Sequence, residues 1–165
     1  MLLKAVIGID PGARGCLCAM DEKRSFIGVI RLSVMTPAQA FGSLSSWTKN
    51  LNVVSVGMEH VHAFRGDKVN TAFTFGTNFG RVLGWLDAVN LEPELIDPSV
   101  WLRHFSLYGL KTKYMEMFGV TESKASSMAK NDYKACAERT FTSPITLDMA
   151  DGMLITEFIW RRKFK

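Results

Sequence analysis

Leu3-Lys4-Ala5-Val6-Ile7-Gly8-Ile9-Asp10-Pro11-Gly12 is a nearly unbroken apolar run that stops on a carboxylate and a turn. Apolar residues at successive positions indicate a strand covered on both faces. Residues 11–15 read as a turn, 16–20 as a second strand, 21–24 as a charged hairpin tip and 25–32 as a third strand. These three strands form an antiparallel meander. Thr36 as N-cap and Pro37 at the first helical position start a helix that runs to about Lys49. Residues 53–59 are a second apolar run, ending on Glu59. A crossover leads into them, which predicts a fourth strand parallel to the first.

The remainder alternates in the same way. After a polar stretch at 60–70, the residues Phe75, Phe79, Val82, Leu83, Leu86 and Val89 recur at helical spacing within 71–90. Phe73 and Trp85 fall off that stripe, so this helix is expected to show a second apolar face, suited to another subunit. Residues 94–96 form a short fifth strand, and Asp97-Pro98 caps and opens the next helix. Residues 106–122 show no assignable element. A helix over 121–139, with Thr121 as candidate N-cap, and a last helix over about 146–162 complete the chain. The expected fold class is α/β, a five-stranded mixed sheet flanked by helices. The 165 residues fit one domain, 1–165, with a sizeable core.

Four carboxylates stand at unusual places. Asp10 and Glu59 end apolar strands, Asp151 lies on the predicted apolar stripe Leu147, Asp151, Leu154, Ile155 and Phe158, and Asp148 is one turn earlier. Each has an ordinary reading when taken alone: Asp148 as a helix-dipole carboxylate, Asp10 as a turn residue, Glu59 as the first loop residue. Asp151 is the hardest to explain that way. A buried carboxylate is normally paired, protonated or metal-bound. Four converging from three distant segments point to hard divalent cations and metal-dependent chemistry on phosphates. Ala150 and Gly152 flank Asp151 and would let its helix approach a sheet closely.

The blocks Gly8-Ile9-Asp10-Pro11-Gly12, Met58-Glu59-His60-Val61 and Asp148-Met149-Ala150-Asp151-Gly152-Met153-Leu154 together resemble the three signature segments of RuvC-type Holliday-junction resolvases, especially phage and viral versions. The resemblance spans the whole chain in order and spacing. It implies an RNase H-like fold, structure-selective endonuclease activity on branched DNA, two Mg²⁺ or Mn²⁺ ions and a homodimer. Carried over by position, it implies that Asp10, Glu59, Asp148 and Asp151 are catalytic metal ligands, with Asp10 best placed to bridge both ions. Where the bacterial family has an aromatic three residues after the Glu, this chain has His62, with Phe64 two residues later.

Composition agrees with an anionic partner. Lys+Arg 20 against Asp+Glu 16 gives +4, and neutralising the four carboxylates would leave the remainder at +8. Candidate DNA contacts are Arg14, His62, Phe64, Arg65, Lys68, Lys111, Lys113 and Lys124, with Lys130 also considered; Lys111-Thr112-Lys113 is the leading phosphate contact. Such contacts make binding steeply salt-dependent. Cys16, Cys18 and Cys136 read as small buried hydrophobes, since paired zinc spacings are absent. No segment is long and apolar enough to span a membrane and the N-terminus lacks signal-peptide character, so an intracellular protein is expected. Two other readings stand beside this one: an RNase H-like nuclease acting on flaps or RNA–DNA hybrids, which shares the chemistry, and a non-catalytic DNA-binding relative, against which the retention of all four carboxylates argues. An actin- or Hsp70-like nucleotide-binding domain would need a second glycine-rich phosphate loop and more length.

Overall fold

The computed structural model describes residues 2–60, 69–141 and 144–165. In chain order the elements are β1 (Leu3–Asp10), β2 (Cys16–Asp21), β3 (Phe26–Arg31), α1 (Pro37–Asn50), β4 (Leu51–Glu59), α2 (Val69–Ala88), β5 (Glu94–Ile96), α3 (Pro98–His104), α4 (Leu110–Phe118), α5 (Glu122–Phe141) and α6 (Leu147–Phe164). The five strands form one sheet in the order β3-β2-β1-β4-β5. β1–β2 and β2–β3 are antiparallel, and β1–β4 and β4–β5 are parallel. The expected mixed five-stranded sheet flanked by helices is what the chain forms.

Strand alternation decides which face each side chain joins. Ile7, Ile9, Leu17, Ala19, Val56 and Met58 pack on one face with Ala40 and Leu44 of α1 and Val82 and Leu86 of α2. Val6, Cys16, Cys18 and Met20 pack on the other with Met153, Leu154, Phe158 and Ile159 of α6 and Trp101 of α3. By the same parity Gly8 and Asp10 of β1, and Gly57 and Glu59 of β4, belong to the α6 face. A Cβ added at Gly8 would meet Thr156 N at 2.2 Å, and one at Gly57 would meet Ile159 Cδ1 at 1.7 Å. The glycines let α6 lie directly on the two central strands. Gly152 performs the reciprocal service on the helix, where a Cβ would meet Cys16 Sγ at 2.5 Å.

That close approach predicts a contrast. Gly8→Ala is expected to destabilise by about 3 kcal/mol or more, because rigid helix backbone stands where the methyl would go. Gly84→Ala on α2, where nothing lies within 4 Å of the new Cβ, is expected to stabilise by about 1 kcal/mol through helix propensity. Urea denaturation of the two variants measures both.

The caps follow the sequence. Thr36 and Gln39 form a reciprocal capping box on α1, and Asp97 Oδ1 accepts from Ser99 N at 2.8 Å on α3. Thr121 Oγ1 accepts from Lys124 N at 3.4 Å at the start of α5.

Three elements differ from expectation. The unassigned stretch 106–122 holds α4, bracketed by Gly109 (φ 80) and Gly119 (φ 60), both left-handed; none of its residues is buried. α6 is not amphipathic: every residue from Ala150 to Ile159 is buried, whereas Leu147, expected on an apolar stripe, is exposed. The helix is enclosed between the sheet and α3 and α5, so residues 150–159 are buried all round, the polar Asp151, Thr156 and Glu157 among them. In α2 only Val82 and Leu86 are buried; Phe73 is 76% exposed, as expected of a second apolar face, but Trp85 packs half-buried against the core instead of joining it, and Phe75, expected on the core stripe, is exposed. Among the described residues no helix is long and apolar enough to cross a membrane.

Candidate active site

β1 and β4 run parallel, with Ile9 opposite Met58. The next residue on each strand, Asp10 and Glu59, therefore sits side by side at the same sheet edge, facing α6. The first turns of α6 bring Asp148 and Asp151 to that edge. All four carboxylates line one cavity of about 650 Å³, together with Arg14, Ser33, Phe75, Lys130 and Leu147.

The loop after β1 folds back on Asp10. Asp10 Oδ1 accepts from Gly12 N at 2.9 Å, and a Cβ at Gly15 would meet the Asp10 carbonyl oxygen at 2.1 Å. Burial, then the nearby Asp151 charge, lifts the Asp10 pKa to about 6, against the opposing pull of the Gly12 N–H and Lys130. Burial likewise lifts Glu59 to about 8, with Asp10 and Asp151 adding repulsion. Lys130 and the indole N–H of Trp101, which donates to Glu59 Oε1 at 3.2 Å, act in the opposite direction. Asp151 is only 5% exposed. Its Oδ2 accepts from the Lys130 ammonium, and its Oδ1 is buried with no hydrogen-bond partner among the described residues.

Asp148 behaves differently. Its Oδ2 accepts from Arg31 Nε at 2.8 Å and Ser33 Oγ at 2.7 Å, lies 2.7 Å from Arg31 Nη2, and its Oδ1 accepts from Thr146 Oγ1. Partial burial works against its charge, but the bonds from Thr146, Ser33 and Arg31 and the Arg31 charge outweigh this and hold it below the usual carboxylate range. Asp148 thus shares the cavity but is turned toward β3. Among the described residues no three His, Cys, Asp or Glu side chains are gathered closely enough to hold an ion as they stand.

The chemistry of Asp10, Glu59 and Asp151 nevertheless fits a hard cation. The buried Asp151 and the half-buried Asp10 and Glu59 face a single ammonium, Asp151 Oδ1 lacks a partner among the described residues, and the donors are all oxygen. The ammonium on Asp151 marks where positive charge is accepted.

The candidate DNA contacts divide. Arg14 and Lys130 line the cavity. Lys111 and Lys113 lie on a regular helix, α4, rather than in an irregular segment, and Lys111 is paired with Glu122, because α4 packs along α5. Lys124 is exposed in the first turn of α5. His62, Phe64, Arg65 and Lys68 lie outside the described residues. Sequence reasoning missed Trp101 beside Glu59, Arg31 and Ser33 around Asp148, and the inward turn of Lys130. These partners are 42, 117, 115 and 21 residues away from the carboxylates they touch. No local pattern links residues so far apart. Cys16 and Cys18 are buried as expected, with their sulfurs 3.6 Å apart.

No family model and no curated protein matches the sequence. The solved structures that are similar include two covered over nearly all of both chains. "T. thermophilus RuvC in complex with Holliday junction substrate" has 14% identity and a TM-score of 0.56, covering 98% of this chain and 97% of that one. "Thermus thermophilus RuvC structure" has 15% identity and a TM-score of 0.54, covering 96% of each. The order β3-β2-β1-β4-β5 with helices on both faces is therefore the RNase H-like fold that RuvC also has.

Proposed function

We propose that the chain is a metal-dependent, structure-selective endodeoxyribonuclease that resolves four-way DNA junctions and related branched DNA. Its products are paired symmetric nicks with 5′-phosphate and 3′-hydroxyl ends. The signature blocks lean toward phage and viral versions of such enzymes. The observation that carries this reading is the mutually repelling set of the buried Asp151 and the half-buried Asp10 and Glu59 at one sheet edge of an open cavity. Similarity to a RuvC solved with a Holliday junction supports the substrate class.

Asp10, Glu59 and Asp151 would hold Mg²⁺ or Mn²⁺, and Asp148 would join them on leaving Arg31. Bound there, divalent ions supply Lewis-acid stabilisation of a phosphoryl oxygen and lower the pKa of a coordinated water. The chain's own residues do the rest. Trp101 fixes the Glu59 carboxylate through its indole N–H. Gly12 and Gly15 shape the loop that buries Asp10. Arg14 and Lys130 place positive charge in the cavity for a phosphate backbone. The uncovered apolar half of α2, with Val69 and Phe73, is the proposed seam of a homodimer, whose twofold axis suits the near-twofold symmetry of a four-way junction.

The same carboxylates would serve a nuclease acting on flaps or RNA–DNA hybrids, since they define the chemistry and not the substrate. The test is incubation of the protein with a labelled synthetic four-way junction and Mg²⁺, beside matched duplex, flap and RNA–DNA hybrid. Paired symmetric nicks confined to the junction, and absent in EDTA, are expected. Cleavage confined to flap or hybrid would keep the metal site and replace the substrate. Inertness toward all four in both Mg²⁺ and Mn²⁺ would leave a DNA-binding relative.

A further inference from the structure

Asp10, Glu59 and Asp151 are fixed to β1, β4 and α6, which pack directly on one another. Lys130 is different in kind. It projects from α5 on a flexible four-carbon stem, and its side chain is 50% exposed while its ammonium reaches inward to Asp151 Oδ2. Asp10 and Glu59 line the same cavity, so the ammonium stands among three carboxylates. One turn along α5, the half-buried Tyr133 ring lies 5.4 Å from Nζ in this same inward position.

We propose that Lys130 is a tethered counter-ion that competes with the divalent cation for Asp151, so that metal is taken up only as the ammonium is expelled. This rests on the metal-dependent reading of the site. Two cations on one buried carboxylate repel strongly where water is scarce, so the ion pair and the metal-bound state exclude each other. Asp151 Oδ1 is buried and has no partner among the described residues, so Lys130 engages only one of the two oxygens and the other is left to coordinate a cation once the ammonium has gone. Without metal, Lys130 offsets part of the repulsion among the carboxylates. It thereby sets the cation concentration at which the site loads.

The test uses Mn²⁺ alone, without DNA, with free Mn²⁺ counted by EPR. Lys130→Met keeps the stem and removes the charge; it is expected to bind Mn²⁺ at least tenfold more tightly than wild type. Lys124→Met, which removes a nearby surface charge, is expected to change binding less than twofold. Equal or weaker binding by Lys130→Met would overturn the inference and leave the metal-dependent reading standing. Absence of Mn²⁺ binding in wild type and Lys130→Met alike would overturn both.

A second measurement needs no variant. Amine labelling of the wild-type protein, read by mass spectrometry, should show Lys130 protected in EDTA and several-fold more reactive in Mn²⁺. Lys134, paired with Glu138 on the same helix, should not change. Unaltered Lys130 labelling at saturating Mn²⁺ would overturn the inference.

Discussion

Asp10→Asn is expected to lower junction cleavage by about 10³-fold or more, beyond the loss typical of one transition-state hydrogen-bond donor, while junction binding stays within a few-fold of wild type. Asp10 ends the central strand, with β2 on one side and β4 on the other, and shares its field with both Glu59 and Asp151. A group in that position contributes negative charge to every cation the site holds. Asparagine preserves the shape and the acceptor that receives the Gly12 N–H, so the loop should keep its form. On the reading proposed above, binding would depend on cationic groups such as Arg14 meeting phosphates, and removing one negative charge nearby would not weaken that. Single-turnover cleavage in Mg²⁺ and gel-shift titration in EDTA separate the two effects. Cleavage within tenfold of wild type would remove Asp10 from the ligand set. Loss of cleavage and binding together would point to a collapsed loop instead.

What the sequence made legible follows from short-range periodicity. Asp10 and Glu59 could be placed together because each ends an apolar strand and a crossover makes the two strands parallel. Thr36 and Asp97 could be read as caps because the signal lies within three residues. Asp151 was rightly expected to be buried, but by a stripe containing Leu147, which is exposed. Its burial comes instead from α6 being enclosed on all sides, a property of how the sheet, α3 and α5 close around it. α4 was hard to read because it is short and none of its residues is fully buried, Leu110 packing half-buried against the core. The inward turn of Lys130 and the capture of Asp148 by Arg31 are tertiary events across 21 and 117 residues. They decide which carboxylates are engaged without metal, and only the assembled chain specifies them.

The second large effect is on stability rather than rate. In the metal-free protein Glu59 is raised from 4.5 to about 8, burial being the main cause, whereas in the unfolded chain it ionises at the ordinary value. Between those two pH values the folded state holds one more proton than the unfolded state, so stability falls as pH rises through this window and levels off above it. Asp10, raised from 3.8 to about 6, adds to the loss over its lower part. Glu59→Gln removes the titration but keeps an oxygen to accept the Trp101 indole N–H. In EDTA the variant should match wild type near pH 4.5, where residue 59 is largely neutral in the folded state of both. It should exceed wild type at pH 8.5 by a few kcal/mol, since each pKa unit is worth about 1.4 kcal/mol. Urea denaturation at the two pH values measures the difference. With saturating Mg²⁺ at pH 8.5 the order should reverse, because a cation held by the wild-type carboxylates stabilises the folded state by mass action and the variant has lost one of them. A variant less stable than wild type at pH 8.5 in EDTA would mean that Lys130 already neutralises Glu59 there. A variant that gains as much from Mg²⁺ as wild type would mean that Glu59 is not a ligand. The excess negative charge of this site is a cost to the folded chain, and a bound divalent cation would offset it.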